Sequence, residues 1–150
     1  MVVMFDRFEP IHALQMDWIE KDVFRYHIEQ SPQFFQLLAA EGNTYTMFGY
    51  HGAKSYILGI ITLMEQNPNH CYLNMFMGTA IQKFFCKEIL RGLRNFVNNN
   101  LGSYTRLSMD GKTENKKLAK LCKSLGFEEE GVMKKFGFDG KDYTLYARVK

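Results

Sequence analysis

Apolar residues recur at helical spacing in three parts of this chain, and elsewhere they alternate or run together as in strands. Residues 2–8 alternate weakly and predict a first strand, and residues 10–40 are mainly helical. The predicted apolar face of this helical part consists of Ile11, Leu14, Trp18 and Ile19. A second helix within it is predicted to begin with Ser31 as N-cap and Pro32 at its first position, and to end at Gly42.

The middle of the chain contains three strand-like segments. Residues 45–50 and 55–64 are rich in aromatic and β-branched residues, and a hairpin turn is predicted between them. Gly59, inside the second segment, indicates a β-bulge or a close backbone approach. After a turn at residues 67–69, residues 71–77 are apolar at almost every position, as expected of a central strand buried on both faces.

A long helix is predicted from Gly78 to about Asn98. Its predicted buried stripe consists of Phe85, Ile89, Leu93, Phe96 and Val97. A basic stripe lies beside it and consists of Lys83, Lys87, Arg91 and Arg94. The pattern then predicts a strand over residues 104–109 and a turn at Asp110 and Gly111.

The last helical pattern covers residues 114–125, and Gly126 follows it where a left-handed C-cap is easiest for glycine. Residues 129–136 and 142–149 predict a closing hairpin. The predicted order is therefore β, α, α, β, β, β, α, β, α, β, β. That order is typical of an α/β (α+β) fold with a mixed, mostly antiparallel sheet and helices on both faces. We expect a single domain covering residues 1–150, a length that suits one domain.

The composition is that of a globular protein, with 46% hydrophobic and 23% charged residues. No apolar run approaches the roughly 20 residues that a membrane span needs, and the first residues lack the pattern of a signal peptide. The three cysteines are odd in number and lie in apolar patterns, which predicts reduced thiols in a cytoplasmic protein. No cysteine pair has metal-ligand spacing and the four histidines are scattered, so no metal site is expected.

The net charge of +3 conceals an asymmetry between the two halves of the chain. Residues 1–75 contain four Lys and Arg against eight Asp and Glu, whereas residues 76–150 contain fifteen against eight. The second half is therefore where an anionic ligand is expected, unless its charges form only a solvated surface. The basic stripe on the long helix also raises the hypothesis of nucleic-acid binding, but one cationic helix face at this modest charge makes nucleic acid an unexpected partner.

Residues 115–127 read Asn-Lys-Lys-Leu-Ala-Lys-Leu-Cys-Lys-Ser-Leu-Gly-Phe. This helix and its Gly-Phe ending resemble the C-terminal part of the GNAT acetyltransferase superfamily, and the predicted order of elements resembles the GNAT fold over essentially the whole chain. The resemblance implies an N-acetyltransferase that uses acetyl-coenzyme A (acetyl-CoA) and a small-molecule or protein amine as acceptor. A looser resemblance, in length and in this ending, is to short GNAT-like proteins of tailed bacteriophages, which implies a host-cytoplasmic or virion location. A homodimer is left open by the aromatic content.

The resemblance also implies cofactor-binding residues. In the family, acetyl-CoA lies where the fourth and fifth strands separate, and its pyrophosphate lies on the N-terminus of the following helix. Here that implies Gly78, Thr79 and Lys83 for the phosphates, and backbone N–H groups near Met75 and Met77 for the tetrahedral intermediate. The chain has no Gly-x-Gly, so Gly78 and Thr79 are alternatively just the start of a helix. Asn115 matches an asparagine that contacts the cofactor or caps the helix, and the alternative is that Thr113 or Asn115 is simply the N-cap.

The candidate catalytic residues are Cys122 and Glu65. Cys122 occupies the place where many family members have a tyrosine that protonates the leaving thiolate, and the alternative is a small core residue. Glu65 is the nearest carboxylate for a general base, unless it is a solvated residue before the turn, and His70 is a further candidate. Tyr104 and Ser108 flank the predicted cleft strand. Two functions stay open: an acetyltransferase, or a catalytically degenerate GNAT fold that serves as a binding or structural protein.

Overall fold

The computed structural model describes all residues from 1 to 150 and contains seven β-strands and six α-helices. In chain order these are β1 (Val2–Arg7), α1 (Pro10–Gln15), α2 (Lys21–Gln30), α3 (Phe34–Glu41), β2 (Thr44–His51), β3 (Lys54–Asn67), β4 (His70–Met77), α4 (Thr79–Lys83), α5 (Lys87–Leu101), β5 (Arg106–Lys112), α6 (Lys116–Ser124), β6 (Glu128–Met133) and β7 (Tyr143–Val149). None of the helices combines the length and the apolar composition that crossing a membrane requires.

The seven strands form one sheet in the order β1-β2-β3-β4-β5-β7-β6. The pairings of β1 with β2, β2 with β3, β5 with β7 and β6 with β7 are antiparallel, whereas β4 and β5 are parallel. The predicted mixed, mostly antiparallel α/β fold is therefore confirmed. The chain also divides into two compact units. The first unit contains Met1–Leu63 and Met75–Gly92, and the second contains Met64–Asn74 and Leu93–Lys150.

The core of the first unit is aromatic. Its buried cluster consists of Phe8, Ala13, Met16, Trp18, Phe35, Ile60 and Phe76. The Trp18 ring lies 4.9 Å from the Phe76 ring, centre to centre, and its indole N–H donates to the Ala13 carbonyl over 2.8 Å. The predicted helical face was wrong here, because Ile11 and Leu14 are 47% and 62% exposed. Helix α1 ends at Gln15 and turns Ala13 inward, so Trp18 reaches the core from an extended segment instead of from the same helix.

The predicted start of the next helix was also wrong. Ser31 ends α2, where its N–H donates to the His27 carbonyl over 3.0 Å, and α3 begins only at Phe34. The predicted end of α3 is confirmed, because Gly42 has the left-handed φ of 75°.

The hairpin of β2 and β3 follows the prediction closely. His51 pairs with Lys54 across the turn, and the register shifts at Met47 and Phe48, which is a β-bulge. Both interpretations of Gly59 hold, because it lies next to the bulged residue of β3 and a Cβ there would lie 3.0 Å from the Phe76 carbonyl oxygen. The apolar run of residues 71–77 is the central strand β4, fourth of the seven.

The single long helix predicted after β4 is two helices. Phe84 closes α4 by donating its N–H to the Ala80 carbonyl over 2.9 Å, and α5 begins at Lys87. Phe85 therefore lies outside both helices and is 53% exposed, although it was predicted in the buried stripe. The break also separates Lys83 from the other three members of the predicted basic stripe.

Helix α6 in the second unit begins at Lys116, two residues after its predicted start, and ends just before Gly126, as predicted. The Asn115 side chain accepts the Leu118 N–H over 3.0 Å and is the N-cap. At the other end, the Phe127 N–H donates to the Cys122 carbonyl and the Gly126 N–H to the Lys123 carbonyl, which is a Schellman motif. The predicted turn at residues 110–111 was wrong, because β5 continues to Lys112 along its antiparallel partner β7.

Candidate functional site

The parallel pairing of β4 with β5 is short. It comprises three pairs, the last of which joins Tyr72 to Ser108. Strand β5 nevertheless continues to Lys112, supported on its other side by β7. Beyond Ser108, the backbone edge of β5 next to β4 forms no further ladder pairs. Side chains on this part of β5 are therefore the first candidates for chemistry.

Asp110 is the first acid beyond the end of this ladder. Side chains alternate along a strand, so Asp110 lies on the same face of β5 as Ser108, whose parallel partner is Tyr72. The Tyr72 hydroxyl donates a hydrogen bond to the Asp110 carboxylate. No lysine or arginine pairs with Asp110, and its burial raises the pKa of the carboxyl to about 6. Such a carboxyl is ionised at neutral pH and is still basic enough to take up a proton.

The second unit contains two other polar pairs on these strands and β6. His70 and Ser108 are hydrogen-bonded, and Arg106 forms a two-pronged ion pair with Glu130. The partners of these groups hold them in place, and Glu130 has a lowered pKa because of the hydrogen bond from Arg106. Asp110 differs from Glu130 because the partner of Asp110 is an uncharged hydroxyl, whereas that of Glu130 is a guanidinium.

The structure separates the two predicted catalytic residues. Cys122 is fully buried on the opposite face of β5, where its thiol lies 3.7 Å from the Met109 sulfur. Burial raises the pKa of this thiol to about 12, and the residue is part of the core, as its alternative interpretation proposed. Glu65 is exposed at the end of β3, and it accepts the Tyr104 hydroxyl over 2.7 Å. That hydrogen bond raises the pKa of Tyr104 to about 12.

The backbone at Gly78 and Thr79 already has hydrogen-bond partners. The Gly78 N–H donates to the Leu58 carbonyl over 2.9 Å, and the Thr79 N–H donates to the Asp17 carbonyl over 2.7 Å. The Thr79 hydroxyl donates to the Asp17 carboxylate over 2.8 Å. These two N–H groups are the ones that the sequence assigned to phosphate, and here they bind the protein's own carbonyl groups.

The remaining predicted cofactor residues lie in different settings. The Met77 carbonyl accepts the Ile19 N–H over 3.0 Å, and Met75 is half-buried in β4. Lys83 is exposed, with its ammonium 5.2 Å from the centre of the Phe84 ring. Asn115 caps α6, as described above. No group of three or more His, Cys, Asp or Glu side chains is arranged to hold a metal ion.

Sequence reasoning missed Asp110, Tyr72 and the start of α5. Asp110 was assigned to a turn because Asp-Gly is a strong turn signal, although the alternation of residues 106–112 was visible. The break before α5 had a weaker signal, because residues 84–86 contain neither glycine nor proline. In the first turn of α5, a hydrogen bond from the Cys86 thiol lowers the pKa of Glu88.

Comparisons with known proteins concern the fold. No protein-family model matches the sequence, and no curated protein matches it. Among solved structures, the chain is similar to an acetyltransferase of the GNAT family from Bacillus anthracis, with a TM-score of 0.70, 14% identity and coverage of 99% of this chain and 95% of that chain.

Two further structures have the same architecture. The microcin C7 self-immunity acetyltransferase MccE, in complex with acetyl-CoA and AMP, has a TM-score of 0.68 at 17% identity, with coverage of 99% of this chain and 93% of that chain. A chimera of spermidine N-acetyltransferase SpeG from Vibrio cholerae and hSSAT has a TM-score of 0.69 at 14% identity, with coverage of 99% and 96%. The chain therefore has the fold of the GNAT acetyltransferases.

Proposed function

We propose that this protein is an N-acetyltransferase that moves an acetyl group from acetyl-CoA to an amine. The observation that carries the proposal is the Asp110 carboxyl, with its pKa raised to about 6, just beyond the last pair of the short parallel ladder. The family resemblance implies that the thioester lies where these two strands separate. Structures with this fold support the cofactor, since MccE is in complex with acetyl-CoA and the NatC complex is bound to CoA.

Asp110 has the role of general base in this proposal. An amine attacks only in its neutral form, so a proton must leave its ammonium before the carbon–nitrogen bond forms. Asp110 takes that proton, directly or through a water molecule. As the carbon–sulfur bond breaks, Tyr72 gives its hydroxyl proton to the departing thiolate and recovers a proton from Asp110 along their hydrogen bond. The second proton of the amine goes to solvent, so the cycle restores both residues.

The segment that the sequence indicated for the phosphates of acetyl-CoA has fewer free donors than the resemblance implies. The N–H groups of Gly78 and Thr79 donate to carbonyl groups of the chain, so they are not free for phosphate. We therefore expect only moderate affinity for the cofactor.

A calorimetric titration with acetyl-CoA tests the proposal first. Turnover is then followed by release of the CoA thiol with polyamines, free amino acids and peptides as acceptors. We expect Asp110→Asn to lower kcat/KM by roughly 10²-fold or more, the usual contribution of a general base. Glu65→Gln is the matched control, because it removes the other candidate carboxylate and is expected to change kcat/KM by less than a few fold.

The pH profile gives a second readout. The wild-type kcat/KM is expected to rise with pH through an inflection near 6, as Asp110 ionises, and the Asp110→Asn variant is expected to lack this inflection. Absence of binding heat at millimolar acetyl-CoA, together with absence of acetylation of every acceptor class, would refute the acetyltransferase.

That negative result is what the second candidate function predicts. In that case the chain is a catalytically inactive GNAT fold that serves as a binding or structural protein. The bonded N–H groups of Gly78 and Thr79 and the buried thiol of Cys122 favour it, because these positions lack the free groups that the family resemblance implies.

A further inference from the structure

The first unit contains a cavity that the proposed acetyl transfer does not use. Its volume is about 470 Å³, within the range of small-molecule sites. Three aromatic side chains, Phe48, Tyr56 and Phe84, line it together with the apolar Met16 and Ile57. The Tyr56 and Phe84 rings lie 4.5 Å apart, centre to centre. These walls suit a ligand with an aromatic or long apolar body.

The β-bulge shapes one wall of this cavity. Before the bulge Met47 pairs with Gly59, and after it Phe48 pairs with Ile57, so one residue of β3 is passed over. A bulge redirects the side chains that follow it. Here both members of the first pair after the bulge, Phe48 and Ile57, line the cavity.

One acidic and one basic side chain, Asp17 and Lys83, also line the cavity. Asp17 is held at its place by two bonds from Thr79, one from the N–H and one from the hydroxyl. The ion pair between the Asp17 carboxylate and the Lys21 ammonium is 3.8 Å long and lies between exposed side chains, so it is weak. The carboxylate can therefore accept further hydrogen bonds from a ligand. Lys83 lies over the Phe84 ring and forms no ion pair.

Asp17 and Lys83 both line the cavity, and Thr79, which fixes the carboxylate of Asp17, lies four residues before Lys83 in α4. A ligand that carries both an ammonium and a carboxylate therefore has a partner of opposite charge for each group. A simple cation would be repelled by Lys83, and a simple carboxylate would be repelled by Asp17.

We propose that this cavity binds a free α-amino acid with an aromatic or long apolar side chain. Asp17 receives the ammonium, Lys83 receives the carboxylate, and the aromatic walls cover the side chain. The N-terminus of a peptide shares the ammonium and the side chain but has an amide where the free amino acid has its carboxylate. The proposal concerns binding alone and holds whether or not the chain transfers acetyl groups.

Calorimetry without acetyl-CoA tests it on the wild-type protein. The probes are L-phenylalanine, L-phenylalaninamide, 3-phenylpropionate, L-alanine and the dipeptide phenylalanylglycine. We expect L-phenylalanine to bind at least tenfold more tightly than each of the others, because each lacks one of the three recognised groups or, in the dipeptide, holds its carboxylate farther away. Equal affinity for the dipeptide would assign the cavity to peptide N-termini and overturn the proposal, as would the absence of saturable binding up to 10-fold excess at millimolar protein.

Two substitutions assign the contacts. Lys83→Met is expected to remove the preference for L-phenylalanine over L-phenylalaninamide. Asp17→Asn is expected to remove the preference for L-phenylalanine over 3-phenylpropionate. Lys54→Met is the matched control, since Lys54 is an exposed lysine of the same unit that does not line the cavity, and it is expected to retain both preferences. Unchanged preferences in the first two variants, with thermal unfolding like that of the wild type, would show that the ligand binds elsewhere.

Discussion

At the scale of single residues, burial acts on two ionisable groups of β5 and its neighbours with opposite chemical consequences. It raises the pKa of Asp110 to about 6 and that of Cys122 to about 12. The carboxyl then exchanges its proton close to neutral pH, whereas the thiol keeps its proton and transfers it poorly. The alternation along β5 places the two groups on opposite faces, so only one can serve the same reaction.

Cys122→Ala tests this assignment. Removing a fully buried sulfur leaves a small cavity beside Met109, and we expect the free energy of unfolding to fall by about 1 kcal/mol. We expect kcat of acetyl transfer, where it is measurable, to stay within about twofold, because the thiol faces the core. Urea unfolding and CoA release are the two measurements.

Cys86→Ala is the control for the loss of stability. Cys86 is half-buried outside the helices, so its replacement is expected to cost less than that of Cys122. A fall in kcat of tenfold or more in Cys122→Ala, with its fold intact, would restore the thiol as the proton donor.

At the scale of elements, the sequence predicted best where neighbours along the chain determine the structure. The N-cap at Asn115 and the Schellman ending at Gly126 both depend on bonds within one turn, and both are confirmed. The hairpin between β2 and β3 and its bulge at Gly59 depend on adjacent strands and were predicted as well.

Predictions failed where a distant segment determines the structure. Residues 17–19 pair with residues 77–79, which draws Trp18 out of the predicted helix and uses the N–H of Thr79. Likewise, pairing with β7 over residues 106–112 overrides the turn preference of Asp110 and Gly111. No local pattern contains these partners, so the candidate base became visible only in the folded chain.

Gly78→Ala measures how closely the backbone at residue 78, which pairs with Trp18, packs against its neighbours. A Cβ at this position would lie 2.7 Å from the Ile57 carbonyl oxygen and 2.9 Å from Met16, and the backbone oxygen cannot move aside. We therefore expect the free energy of unfolding to fall by about 1–3 kcal/mol, as for other overpacked sites. Urea unfolding is the measurement.

Gly131→Ala provides the comparison within a strand. A Cβ at Gly131 of β6 would meet no heavy atom within 4 Å, so this variant is expected to be as stable as the wild type or slightly more stable. Equal stability of Gly78→Ala and Gly131→Ala would contradict the close approach at residue 78.

At the scale of the whole molecule, the pH dependence of stability is set less by the net charge of +3 than by the hydrogen bonds and burial of each carboxyl group. The exposed acids Glu114, Glu130 and Asp139 have lowered pKa values, because hydrogen bonds from Lys141, Arg106 and the Lys141 backbone N–H respectively favour their ionised forms. Their contribution to folding is complete above the ordinary carboxyl pKa of about 4 and is lost as the pH falls below it.

Asp110 contributes with the opposite sign. Its pKa in the folded chain, about 6, lies above that in the unfolded chain, so the folded state binds its proton more tightly. The stabilisation that this proton gives is complete below pH 4 and is lost as the pH rises through 6. The hydrogen bond from Tyr72 offsets part of that loss, because it also stabilises the ionised carboxylate. The native fold therefore retains, at neutral pH, a buried negative charge that costs stability, and this is the expected sign for a group kept for chemistry.

A pair of asparagine variants makes this a thermal measurement. Asp110→Asn is expected to match the wild type near pH 4 and to exceed its Tm at pH 7.5 by about 2–4 °C, after allowance for the part of the charge that solvent screens. Asp139→Asn should do the reverse, with a lower Tm than the wild type at pH 7.5, because it breaks the 3.2 Å contact with Lys112, and with a deficit that shrinks as the pH falls toward 3. The contrary result would be that Asp110→Asn is less stable than the wild type at pH 7.5 by as much as Asp139→Asn. The Asp110 carboxylate would then stabilise the fold as the other carboxylates do, and it would no longer be a candidate for the general base.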